Sequence, residues 1–146
     1  MDNDQVLGYP VRGQLYQGED AYFKANPQVT GMAAEDGAVI LNPYSTLKPE
    51  EQRAVAFNEA LRLHMREGKI EPRITVTPEQ DAYFKGTPYE RADLEKRQTI
   101  IARILSGDPS IKPTPEQAKE ADRIKRVAED RAAWNEEAAA RQGGTE

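Results

Sequence analysis

The run Asn58-Glu59-Ala60-Leu61-Arg62, with His64 just beyond it, is the stretch whose residue types come nearest to a hydrolytic site. In zinc peptidases one helix places two histidines four residues apart on a single face. Both bind the metal, and the glutamate between them activates water. Here the two ligand positions hold Asn58 and Arg62, and the permanent positive charge of an arginine repels a zinc ion. The chain has 1 histidine and 0 cysteines, which excludes histidine- or thiolate-based zinc sites, disulfides and thiol nucleophiles together. His64 falls between Leu63 and Met65 on an apolar stripe, a setting for a core histidine rather than for the base of a Ser-His-Asp triad. The carboxylate pairs Glu50/Glu51 and Glu136/Glu137 sit at a helix start or on a solvated face, without the apolar surroundings that raise one pKa for acid–base work. There is no glycine-rich phosphate loop. The sequence therefore predicts no catalytic residues, no metal site and no cofactor. The enzymatic alternative is a degenerate zincin-like hydrolase that uses Glu59 without metal ligands.

The elements that must position these residues are legible from periodicity and punctuation. Pro49-Glu50-Glu51-Gln52 opens a helix with proline in the first turn and acids at the positive end of the dipole. It runs over 49–67, with Gly68 suited to end it and Ala54, Phe57, Leu61, His64 and Met65 forming one stripe. Two β-rich runs around Glu35-Asp36-Gly37 predict a hairpin over 29–42 that packs on this helix through Ile40, Phe57, Leu61 and Met65. Residues 69–76 read as extended. Thr77-Pro78-Glu79-Gln80 and Thr114-Pro115-Glu116-Gln117 are two copies of one capping box, opening helices over 78–85 and 115–141. A further helix over 89–105 buries Leu94, Ile100, Ile101, Ile104 and Leu105 and is stopped by Ser106-Gly107-Asp108-Pro109. Residues 1–28 show no sustained period and read as an arm with one short helical turn near Glu19–Lys24.

The fold class expected is mainly α with a small β-hairpin (α+β). It has an extended N-terminal arm (1–28), a core of hairpin plus helices (29–113) and a long charged C-terminal helix (114–146). Of the 146 residues 38% are hydrophobic and 31% charged, which allows only a modest core. A net charge of −5 without a basic segment argues against nucleic acid as a partner, and no apolar run approaches a membrane span. The first residues lack the features of a signal peptide, so the protein is expected in a cytosol. Partner contacts are expected at the two ends. Asp20-Ala21-Tyr22-Phe23-Lys24 and Asp81-Ala82-Tyr83-Phe84-Lys85 are copies of one aromatic segment, each with a proline aligned after it, and read as docking turns anchored by Tyr22, Phe23, Tyr83 and Phe84. The C-terminal helix is too polar to bury alone and offers a thin line of Ile124, Val127 and Trp134 to a protein partner.

Several stretches carry a family resemblance: Gly31-Met32-Ala33-Ala34-Glu35-Asp36, Val39-Ile40-Leu41-Asn42-Pro43-Tyr44-Ser45, Ala54-Val55 with Asn58-Glu59-Ala60 and Arg62, Arg97 to Ile104, and Ser106-Gly107-Asp108-Pro109-Ser110. Together they resemble a family of small uncharacterised proteins encoded in tailed-bacteriophage genomes, over about residues 20–125. The resemblance assigns no residue roles. It implies a phage protein, assembled in the host cytoplasm and residing in the virion as a tail or head–tail component, in contact with other virion proteins in an oligomer or larger assembly. The alternative is a small cytosolic protein that binds and inhibits or regulates a host protein.

Overall fold

The computed structural model describes residues 5–67 and 70–143, with side chains described as far as Asp130, Glu50 excepted. In chain order the elements are β1 (Gln5–Val6), β2 (Tyr9–Pro10), α1 (Gln17–Ala25), β3 (Gly31–Ala33), β4 (Val39–Leu41), α2 (Pro49–Arg66), α3 (Pro78–Ala82), α4 (Asp93–Ser106) and α5 (Pro115–Gly143). The protein is mainly helical with small antiparallel β-hairpins. Gly68, expected to end α2, lies outside the described residues, as do Met1–Asp4.

The stripe of α2 is the centre of the main core. Ala56, Phe57, Ala60, Leu61 and Leu63 are buried there with Ile101 and Ala102 of α4 and Ala121, Ile124 and Ala128 of α5. The predicted hairpin forms as β3–β4, in the register Gly31↔Leu41, Met32↔Ile40, Ala33↔Val39. Its turn takes Gly37 to φ +83°, a conformation that glycine adopts without a steric penalty. The hairpin packs on α2 as expected, but not through Ile40. Val39 and Leu41 join the α2 core, whereas Ile40, one residue out of step, faces away and is buried with Phe23 of α1 and Ala34. Alternation along a strand sends neighbouring residues to opposite faces, so the hairpin is apolar on both sides. Phe57 and Leu61 are buried where expected and Met65 is packed against the same core.

The N-terminal region departs from an extended arm. β1 and β2 pair through a tight turn in which Leu7 takes φ +52° and Gly8 +85°. A left-handed leucine costs about 1–2 kcal/mol. What holds it is its side chain, only 5% exposed in the main core, together with its carbonyl oxygen, which accepts a hydrogen bond of 2.7 Å from His64 Nε2. Burying a leucine side chain contributes about 1.5–3 kcal/mol, enough to offset the strain. His64 is thus a core histidine that ties α2 to this turn, with the Tyr9 ring edge-on at 4.6 Å. Downstream, the short helical turn near Glu19–Lys24 is a nine-residue helix, α1, whose start is fastened by the Arg12–Glu19 ion pair at 2.7 Å.

Two helices differ from their expected bounds. The helix expected at 78–85 ends at Ala82 and continues as turns. The one expected at 89–105 begins at Asp93, because hydrogen-bonded turns after Pro88 (Glu90 N–H to Thr87 O, Ala92 N–H to Tyr89 O) hold the chain off the helical path. Leu94 is consequently exposed; Ile100 and Ile101 are buried, Ile104 and Leu105 half-buried. The first half of α5 belongs to the main core rather than standing apart from it.

The two capping boxes are joined to each other. Gln80 and Gln117 are 4% and 1% exposed, and each donates Nε2–H to the other's Oε1 at 2.7 Å. Each Oε1 also accepts from its own cap backbone, Thr77 or Thr114, at 3.1 Å. The second Nε2 hydrogens reach main-chain carbonyls, Thr75 from Gln117 (2.8 Å) and Lys112 from Gln80 (3.4 Å). The extended stretch before α3 is held by Arg97 donating to the Pro72 carbonyl and by Arg73 N–H donating to Glu120 at 2.7 Å. Truncating one glutamine leaves the other buried with unmet polar groups, at about 1–3 kcal/mol. Gln80→Leu and Gln117→Leu are each expected to destabilise by about 2 kcal/mol in urea unfolding. The double variant is expected to lose at least about 1 kcal/mol less than the sum. Simple additivity would show that the two amides do not act as a pair.

Candidate functional site

An open groove of about 730 Å³ lies between β3, α2 and α4. The residues leading into β3 (Gln28 to Gly31) form one wall, and Thr99, Ala102 and Arg103 of α4 form another. Glu51, Ala54, Val55, Asn58 and Glu59, at helical spacing on α2, line it between them. Gly31 permits this geometry by its lack of a side chain. A Cβ there would lie 2.8 Å from Val55 Cγ1 and 3.0 Å from the Ile40 carbonyl oxygen, so the hairpin sits against α2 closer than any other residue allows.

Glu59, the residue singled out in the sequence for hydrolysis, lies in this groove and is 9% exposed. Burial pushes its carboxyl above the usual carboxylate range, against the opposing pull of the Arg62 and Arg66 charges. Its partner is Arg62, with Nε 3.4 Å from Oε2, and Arg62 reaches on to Glu95 of α4 at 3.6 Å. The arginine at the second metal-ligand position is thus a cationic link between two helices. Asn58, at the first, accepts from Gln98 at 3.0 Å through its side-chain oxygen. His64 is five residues from Glu59, about 140° around a helix, and is turned to Leu7. Glu59 and His64 therefore do not converge on a reacting atom. Among the described residues no three His, Asp or Glu side chains form a set that could hold a metal ion.

The expected contact residues fall into two groups. Phe23 and Ile124 (both 0% exposed) and Phe84 (7%) are packed inside this chain, so they anchor its own fold. Tyr22 and Tyr83 stand at the surface, 46% and 50% exposed, and Val127 is half-buried. The two aromatic copies share one backbone pattern as well as one sequence. Asn26 N–H bonds Phe23 O and Val29 N–H bonds Asn26 O; Thr87 to Phe84 and Glu90 to Thr87 repeat this. In each copy the phenylalanine turns in and the tyrosine out, although Tyr83 also donates to the Ser110 carbonyl. The Trp134 side chain lies outside the described residues. Sequence reasoning did not find the groove, because its walls come from segments far apart in the chain and only the spacing on α2 signals it.

Comparison with protein-family models, curated proteins and solved structures gives no match. No helix among the described residues is long and apolar enough to cross a membrane.

The buried carboxyl sets a pH dependence. Because folding raises the Glu59 pKa, the folded chain holds this proton to higher pH than the unfolded chain does. Its contribution to stability is therefore greatest below the ordinary carboxylate pKa and is lost as pH rises through the raised one. The stability of Glu59→Gln relative to the parent is expected to increase over that interval, measured by urea unfolding from about pH 4 to about pH 8. A difference that is constant with pH, or that shrinks as pH rises, would contradict the burial effect.

Proposed function

We propose that this chain is a non-enzymatic structural or assembly protein of a bacteriophage virion, a tail or head–tail component that acts through protein–protein contacts. The observation that supports this most is α5. Among its described side chains, which end at Asp130, Gln117, Ala121, Ile124 and Ala128 are buried. The backbone stays helical for fifteen further residues, from Glu129 to Gly143. That length is about 22 Å, marginal for an isolated helix in water. Its sequence there includes Trp134 among alanines and charges, a residue type enriched at binding hot spots. The exposed rings of Tyr22 and Tyr83 add anchors of the same kind on the body. The phage assignment rests on the sequence resemblance, and the role in assembly on the length of α5 and the exposed tyrosines.

Mass spectrometry of purified phage particles tests the reading. A virion component is expected in stoichiometric ratio to the other structural proteins. Its absence from particles, with abundant protein free in the infected cell, would overturn the proposal in favour of a soluble factor acting on a host protein.

A further inference from the structure

The groove beside β3 has a property that neither α5 nor the tyrosines share: one of its walls, Gln28 to Gly31, leads onto the outer main-chain edge of β3. In the β3–β4 ladder Asn42 N–H donates to Thr30 O at 3.0 Å and Ala34 N–H to Ala38 O at 2.8 Å. Those two pairs and Met32↔Ile40 between them are the hydrogen-bonded positions of the antiparallel register. Gly31 and Ala33 alternate with them, so their N–H and C=O groups point away from β4. The far edge of β4 is already covered, since Val11 bridges Val39 in parallel and Arg12 N–H donates to Val39 O at 2.9 Å. The outer edge of β3 has no strand beside it among the described residues. An edge with outward main-chain groups is a template for an added strand.

The side chains around that edge state what the added strand should carry. Among the described residues, Glu51, Glu59 and Asp108 line the groove with one guanidinium, Arg103, which is held toward Asp108 at 3.9 Å. Glu59 is largely buried, and the described cations that act on it are Arg62 and Arg66 of its own helix. Val29, Leu47 and Val55 supply apolar surface between the charges.

We infer that this groove binds an extended, basic segment of a partner protein, which pairs with the Gly31–Ala33 edge and directs a lysine or arginine side chain toward Glu59. An incoming helix would leave the outward groups of Gly31 and Ala33 unused, because its own main chain is internally bonded. An acidic segment would meet the three carboxylates. The inference rests on reading the chain as a protein-binding one, but not on its presence in a virion. Particle composition and peptide binding are separate measurements, so either can fail without the other.

The test is selection of short random peptides displayed on a surface, against the immobilised full chain, followed by synthesis of the strongest binder. The selected peptides are expected to share a β-branched run that contains Lys or Arg. Binding should shift the backbone amide resonances of Gly31 and Ala33 and weaken about tenfold in Glu59→Gln, the scale of losing one charge-assisted hydrogen bond. Urea unfolding of that variant at the binding pH confirms that it is folded, so loss of binding would not reflect unfolding. N-methylation of the peptide amides that face the edge should abolish binding. The inference is overturned if nothing is enriched, if the enriched peptides are acidic or amphipathic helices, if the shifts map elsewhere, or if binding survives either change.

Discussion

The structure depends most on the reciprocal hydrogen bonds between the Gln80 and Gln117 carboxamides. Each amide uses both of its hydrogens and accepts two bonds at its oxygen, so no polar capacity is left unmet in a site where the residues are 4% and 1% exposed. A buried amide in that state adds specificity of position, because any shift of one helix start against the other breaks several bonds together. The same device recurs where the chain is irregular. Asn42 donates to the carbonyls of Phe23, Asn26 and Val29 and so fastens the end of α1 to the hairpin. Gln98 of α4 donates to Asn58 of α2. A chain with 38% hydrophobic residues has limited apolar area to bury, and these amides hold the segments that apolar contacts alone would leave loose.

Much of this was legible in the sequence because it is written in local signals. Proline at Pro49, the Thr-Pro-Glu-Gln boxes, Asp36-Gly37 and Gly107 mark element boundaries that the structure places within a few residues. What was not legible is relational. The two boxes announce helix starts, yet nothing local says that their glutamines, 37 positions apart, face each other. Ile40 is apolar on either side of the hairpin, so pattern alone could not assign it to α1 rather than α2. The arm read as extended because β1 and β2 are two residues each, too short to show a period, and because Leu7 occupies a turn position that leucine rarely takes. The candidate site divides in the same way. Glu59 was visible as a residue type in a suggestive helix, but its groove needs β3 and α4 beside it. Phe23, Phe84 and Ile124 were visible as apolar anchors, and only the tertiary structure shows that what they anchor is this chain.

The functional consequence is a division of labour. The body is tied by His64 to the N-terminal turn, by Asn42 to α1 and by the glutamine pair to α5, which leaves little freedom for a conformational switch within it. On the proposed reading, the surfaces offered to partners are those that the body presents without rearranging: the outward tyrosines and the outer edge of β3. On that reading the protein would contribute preformed contact geometry, which lowers the entropic cost of association.

Residue-resolved amide hydrogen exchange on the free, full chain tests most directly the claim of a locked body with an open edge on β3. The account predicts that the Gln80 and Gln117 amides, bonded to Thr77 and Thr114 hydroxyls, are protected to the same degree as the centre of α4 at Ile101. In β3 it predicts alternation, with Met32 protected and Gly31 and Ala33 exchanging freely. Equal protection along β3, or free exchange at Gln80 and Gln117 while α4 stays protected, would contradict it.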